Sequence, residues 1–143
     1  MRLGPRIVAC LDSLCEGDAG EIWLDLKRCQ RLDSTFAGCL LGFSQEARRG
    51  ERPKLILNRV SHRCMQALEK MRLDKMMSFQ CEEPPELDWS SFEGGEADRD
   101  ELTTAVISAH ERLAACDPEN DDFARVARVL SEDYERRNKS PQP

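Results

Sequence analysis

"EIWLDLKRCQRLDSTFAGCLLGF", residues 21–43, changes its period halfway along, and that change decides the fold class. Over residues 21–26 the apolar side chains alternate. Ile22, Leu24 and Leu26 share one face, while Glu21, Trp23 and Asp25 share the other. That is the pattern of a half-buried strand. After the turn-like "KRCQR", Phe36, Leu40, Leu41 and Phe43 recur at helical spacing. Asp33 or Ser34 supplies a side-chain acceptor for the unpaired N–H groups that open a helix. A strand leading into a capped helix is therefore expected.

On the N-terminal side, Pro5 suits a first helical turn. Ile7, Val8, Leu11 and Leu14 form a helical stripe that Gly17 and Gly20 end. On the C-terminal side the capped helix fades at "ARRGERP". The run "KLILN", residues 54–58, is almost wholly apolar, as a buried parallel strand is. A third helix carries Cys64, Leu68 and Met71 on its apolar side, and "LDKMMSF" returns the chain to the sheet. This alternation predicts an α/β domain over residues 1–80, with a mixed, mainly parallel sheet and helices packed on it. With two strands and one short terminal strand, the sheet is thin.

Residues 81–98 are acidic, contain Pro84-Pro85 and Gly94-Gly95, and show no period. They read as a linker that Trp89 and Phe92 could anchor. Leu102, Val106, Ala109, His110 and Leu113 then form one helical stripe, and Phe123, Val126, Ala127, Leu130 and Tyr134 form another. Asp117-Pro118 reads as an N-cap followed by a first-turn proline, so residues 99–137 are expected as a helical hairpin. Residues 138–143 read as a disordered tail.

A length of 143 residues suits one domain and an appendage. The net charge of −6 argues against a general nucleic-acid partner, which a basic face normally serves. No apolar run approaches the roughly 18 residues of a membrane span, and Met1 opens no signal-peptide pattern. A cytoplasmic chain without a membrane partner is expected. The seven cysteines are odd in number, form no C-x-x-C pair and mostly sit inside apolar patterns. They read as buried free thiols, with a metal site or a redox enzyme the weaker readings. His62 and Cys64 are too close for a usual zinc pair, and His110 is the other histidine, so neither metal nor cofactor is expected. No nucleophile elbow or P-loop occurs, and Ser34 has no histidine near it in sequence. No enzyme is expected. His110 reads as a packed helix residue, and Arg48, Arg49, Arg52, Lys54, Arg59 and Arg63 read as a solvated rim.

Ser34 and Thr35 stand where the helix begins, beside unpaired N–H groups and the positive end of the helix dipole. Phosphorylation there would add about −1.5 to −2 charges. The helix itself would respond by only about 1 kcal/mol. A tightly packed partner would meet an unpaired buried charge, which costs several kcal/mol.

The segment "WLDLKRCQRLDSTFAGCLLGF" resembles the central part of STAS domains, the fold of bacterial anti-sigma factor antagonists. In these a strand ending in Asp-Leu leads to Asp-Ser-Ser/Thr-Gly-Leu-Gly at a helix start. The resemblance continues through "KLILNRVSHRCMQALEKMRLDKMMSF" and covers approximately residues 4–80. It implies a partner switch that regulates transcription. The antagonist binds an anti-sigma factor that is also a serine kinase, the kinase phosphorylates the motif's second hydroxyl, and a phosphatase restores binding. Carried over, Thr35 is the phosphoacceptor, with Ser34 as the alternative. The partner-binding set is Asp33, Ser34, Thr35, Phe36, Gly38, Arg59, Ser61 and His62. Phe36 and Ala37 stand where the family has Gly-Leu, which places a ring beside the acceptor. The family also has two strands before its first helix. Here that pair is missing, which implies either a start further upstream or an open sheet edge. The hairpin lies outside the common domain. A second reading is a phosphorylation-independent STAS scaffold or ligand-sensing module, with the hairpin able to build a homo-oligomer.

Overall fold

The computed structural model describes residues 4–17, 20–87, 89–92 and 98–139. The elements run α1 (Gly4–Leu14), β1 (Glu21–Asp25), α2 (Ser34–Arg48), β2 (Lys54–Asn58), α3 (His62–Lys70), β3 (Ser78–Gln80), α4 (Arg99–Cys116) and α5 (Asp121–Lys139). The strands form one sheet in the order β1-β2-β3. Glu21 to Asp25 lie beside Lys54 to Asn58, and Ile56 to Asn58 beside Ser78 to Gln80, both pairs parallel. The α/β expectation holds, and among the described residues every strand pair is parallel.

Local chemistry explains the boundaries. Asp33 is extended, and its carboxylate accepts the Phe36 N–H at 2.8 Å, which fixes the start of α2. Gly50 takes φ 77° two residues past the end of α2, a turn that glycine makes without strain. Ser61 caps α3 by accepting the Cys64 N–H. β2 is the central strand, and Leu55, Ile56 and Leu57 are all buried.

α2 is buried without a break from Phe36 to Ser44. A surface helix hides only one stripe, so a helix hidden all round must lie between two layers. The sheet forms one side and α4 the other, with α1 packed against both α2 and α4. Leu40, Leu41, Leu57, Leu68 and Leu73 are fully buried at the centre. Leu57→Ala is expected to cost about 3–5 kcal/mol, the range for a leucine whose cavity cannot collapse, measured by urea unfolding.

The hairpin packs on the rest of the fold, with α4 against α2. Several expectations need correction. Asp117 does not open the second helix. Its N–H bonds back to Leu113 O at the end of α4, and its nearly buried carboxylate reaches Arg72 at 3.5 Å. The cap of α5 is Asn120, whose side chain accepts the Asp122 N–H at 3.0 Å. On α5, Ala127 is buried but Val126 and Val129 are exposed. The expected tail starts too early, since Asn138 and Lys139 are still helical; residues 140–143 lie outside the described residues. In the linker Trp89 is exposed and anchors nothing, whereas Phe92 packs against the core. Gly94 and Gly95 lie outside the described residues. Among the described residues no helix is long and apolar enough to cross a membrane.

Candidate functional site

α2 and α3 each begin just after the carboxyl end of a parallel strand, so their N-termini share one edge of the sheet. Open α/β sheets characteristically bind ligands at that edge. The loops feeding the two helices are joined there. The Cys64 thiol donates to Cys29 O at 3.4 Å, and Arg59 Nε donates to Asp25 Oδ1 at 3.2 Å with a second Arg59–Asp25 contact beside it. Arg59 takes φ 51°, in the left-handed region that a side chain rarely adopts, and its N–H donates to Gln80 O.

The hydrogen bond from Arg59 holds the Asp25 carboxyl below the usual aspartate range, against the opposing effect of burial. A carboxyl depressed in the folded state stabilises it above the unfolded-state value. That contribution disappears as pH falls through the folded value. Thermal unfolding of Asp25→Asn should therefore differ from the native chain near pH 6, and the difference should shrink below about pH 4.

Ser34 is the first residue of α2, and its hydroxyl meets His110 Nε2 of α4 at 3.0 Å. The ring's other nitrogen, Nδ1, lies 2.7 Å from Val106 O. A carbonyl can only accept, so Nδ1 carries the proton and, in the neutral ring, Nε2 accepts from the Ser34 hydroxyl. His110 is buried and stands edge-on to Phe123 of α5 at 5.9 Å. A hydroxyl paired with an oriented histidine is the arrangement of an activated nucleophile. Here, however, the pair lies inside the α2–α4 contact. Neither of the two cavities flanking α2 is lined by Ser34 or His110.

Thr35 is placed differently. Its methyl packs on Gly4 of α1, where an added Cβ would come within 2.7 Å of it. Its hydroxyl makes no hydrogen bond among the described residues. Thr35 and Asp33 line a cavity of about 400 Å³ closed by Leu102, Thr103 and Val106 of α4 and Leu130 of α5.

The other sequence-predicted residues divide by depth. Phe36 is 3% exposed and points into the core, so its ring does not screen Thr35. Gly38 is buried under α4, where a Cβ would meet the Ala109 backbone. With α4 docked, neither offers surface to a partner. Arg59 and Ser61 are half-buried and engaged, one with Asp25 and one as a cap, while His62 is exposed at the start of α3. The loop bearing Arg59, Ser61 and His62 is brought beside the loop leading to Asp33, Ser34 and Thr35.

Sequence reading missed the part played by α4. Its signal was the spacing of Ser34, Gly38 and Gly42, one small residue per turn along a single face. Such a row lets another helix approach closely. His110, Ala109 and Arg112 of α4 meet these three positions in turn.

Half of the basic rim is neutralised within the chain. Arg49 pairs with Glu51, Arg52 with Glu46 and Asp12, and Arg59 with Asp25. Among the described residues no group of three potential metal ligands comes together. Burial pushes the Cys39 thiol up to about 11 and also raises those of Cys29 and Cys116. Thiolate is the reactive form. Alkylation at pH 7.5 of the folded chain should modify exposed Cys81 first and leave Cys39 and Cys64 for the unfolded chain, as mass spectrometry would show.

Comparison with known protein families, curated proteins and solved structures gives no match to this chain.

Proposed function

We propose that the chain is a STAS-type anti-sigma factor antagonist, a binding protein whose partner face is switched by phosphate on Thr35. One observation carries this reading. Among the described residues the Thr35 hydroxyl is free at the mouth of a helix, and those lining the cavity beside it include an acid, Asp33, and no cation. A phosphate attached there would lie against Asp33, Leu102, Val106 and Leu130. The first-turn N–H groups stabilise an anion by about 0.3–1 kcal/mol, less than the several kcal/mol that an unpaired, partly buried charge costs.

The unphosphorylated chain, with α4 and α5 seated, is then the binding form. Asp33, Thr35, Arg59, Ser61 and His62 and the adjoining hairpin surface form the face offered to the anti-sigma factor kinase. Phosphate on Thr35 unseats the hairpin and removes that face, and a phosphatase restores it. Ser34 is the poorer acceptor because its hydroxyl already donates to His110.

Incubation with an anti-sigma factor kinase and ATP should add one phosphate, at Thr35, and abolish binding to that kinase. Ser34→Ala should still accept the phosphate, and Thr35→Ala should bind constitutively. An unchanged mass, or a phosphate retained in Thr35→Ala, would remove the switch from this reading. Binding that ignores phosphate would favour the phosphorylation-independent scaffold.

A further inference from the structure

Further along α2 lies a second cavity, about 510 Å³, bounded by α1, α2 and α4. Its apolar lining comes from Val8 and Ala9 of α1, Cys39 and Phe43 of α2 and Ala105 of α4. Arg112 of α4 also lines it, with Ser108 one turn away. The Arg112 guanidinium lies directly on Gly42. A Cβ at that position would come within 2.6 Å of Cζ and 2.8 Å of Nη1. The absence of a side chain at position 42 is therefore what lets a guanidinium lie flat on the flank of α2.

Arg112 takes part in no ion pair or hydrogen bond among the described residues. The nearby acids are otherwise engaged. Arg52 binds Glu46 at 2.9 Å and Asp12 at 2.5 Å. Glu101 is eleven residues from Arg112 on α4, about 16 Å away along the helix. A half-buried, planar five-donor cation with no partner among the described residues, above a pocket of ligand size whose walls are part apolar and part charged, has the chemistry of a carboxylate clamp.

We propose that this cavity binds a small amphipathic carboxylate, its anionic head on Arg112 and Ser108 and its hydrocarbon body over Val8, Ala9 and Phe43. The site does not depend on Thr35 and uses none of the residues of the switch. Because it spans α1, α2 and α4, its ligand would hold α4 against α2. By linkage it would raise the stability of the seated hairpin by RT ln(1 + [L]/Kd).

The test titrates the full chain with hexanoate, hexanamide and inorganic phosphate, followed by amide and methyl NMR shifts. Hexanoate should bind, shifting Val8, Ala9 and Ala105. Hexanamide and phosphate should each bind at least about tenfold more weakly, since one lacks the charge and the other the apolar body. Arg112→Gln should lose about the same factor. Gly42→Ala, which keeps the charge but displaces the guanidinium, should also weaken binding, and it serves if Arg112→Gln fails to fold. No binding by hexanoate, equal binding by hexanamide, or shifts located elsewhere would each overturn the assignment. None of these outcomes bears on phosphorylation of Thr35, so the two readings fail separately.

Discussion

Gly38→Ala is expected to lower the unfolding free energy by about 3 kcal/mol, at the upper end of the cost of overpacking a core. The added methyl would lie 2.5 Å from Ala109 Cβ and 2.7 Å from both Ala109 Cα and Ala109 O. Two of these three atoms are backbone of α4, so no rotamer change relieves the clash and the helices must part. Parting them stretches the Ser34–His110 hydrogen bond one turn away. A buried histidine left with an unmet acceptor costs about 1–3 kcal/mol more. The control is Gly17→Ala, where nothing lies within 4 Å of the new methyl and little change is expected. In the double variant Gly38→Ala/Ala109→Gly one of the three clashes disappears, so about a third of the loss should return. Urea unfolding gives all four values. A Gly38→Ala chain as stable as the native one would mean that α4 does not occupy this groove.

The stretch that decided the fold was legible because its causes are local. The alternation in β1, the Asp33 cap and the apolar spacing of α2 each depend on neighbours within a few residues, and each element forms where it was expected. The C-terminal helices were also legible from period alone, whereas the return to the sheet was expected over residues 73–79 without a period and the strand forms at Ser78–Gln80. What the chain did not disclose is how the pieces meet. Asp117 carries the composition of an N-cap, but a tertiary contact with Arg72 recruits it to the end of α4 instead. Trp89 has the size of an anchor and is exposed. Ser34 and His110 are 76 positions apart, and no local pattern records that separation. The glycines at 38 and 42 were visible, yet two glycines in a helix read equally as weakness or as a groove. Only the partner helix distinguishes the two. The same limit applies to the site. The hydroxyls could be placed at a helix mouth from sequence, but the cavity over Thr35 is made by residues 67 and more positions later.

Stoichiometric phosphate on Thr35, installed by ligation or by genetically encoded phosphothreonine, is expected to release α4 and α5 from α2. Amide hydrogen exchange in both helices should quicken by roughly a hundredfold, equivalent to about 2.7 kcal/mol, while α3 and β2 keep their protection. The sign follows from the surroundings of the acceptor. The favourable part is the first turn of α2. There Phe36 N–H is already committed to Asp33, so a phosphate finds only the remaining N–H groups and the dipole. Against it stand the Asp33 carboxylate and the apolar wall of Leu102, Val106 and Leu130, with no arginine or lysine among the described residues of the lining. Two negative groups sharing a cavity of low polarity repel more strongly than either would in water. Raising the hairpin moves the phosphate into solvent and ends that repulsion, at the cost of exposing Ala109 and Leu113. Thr35→Glu carries less charge and should release the hairpin less completely. Thr35→Val keeps the shape without the charge and should leave exchange unchanged. If phosphorylated Thr35 leaves α4 as protected as before, the anion has found solvent without moving the hairpin. A modification at this helix mouth would then act on an outside partner directly or not at all.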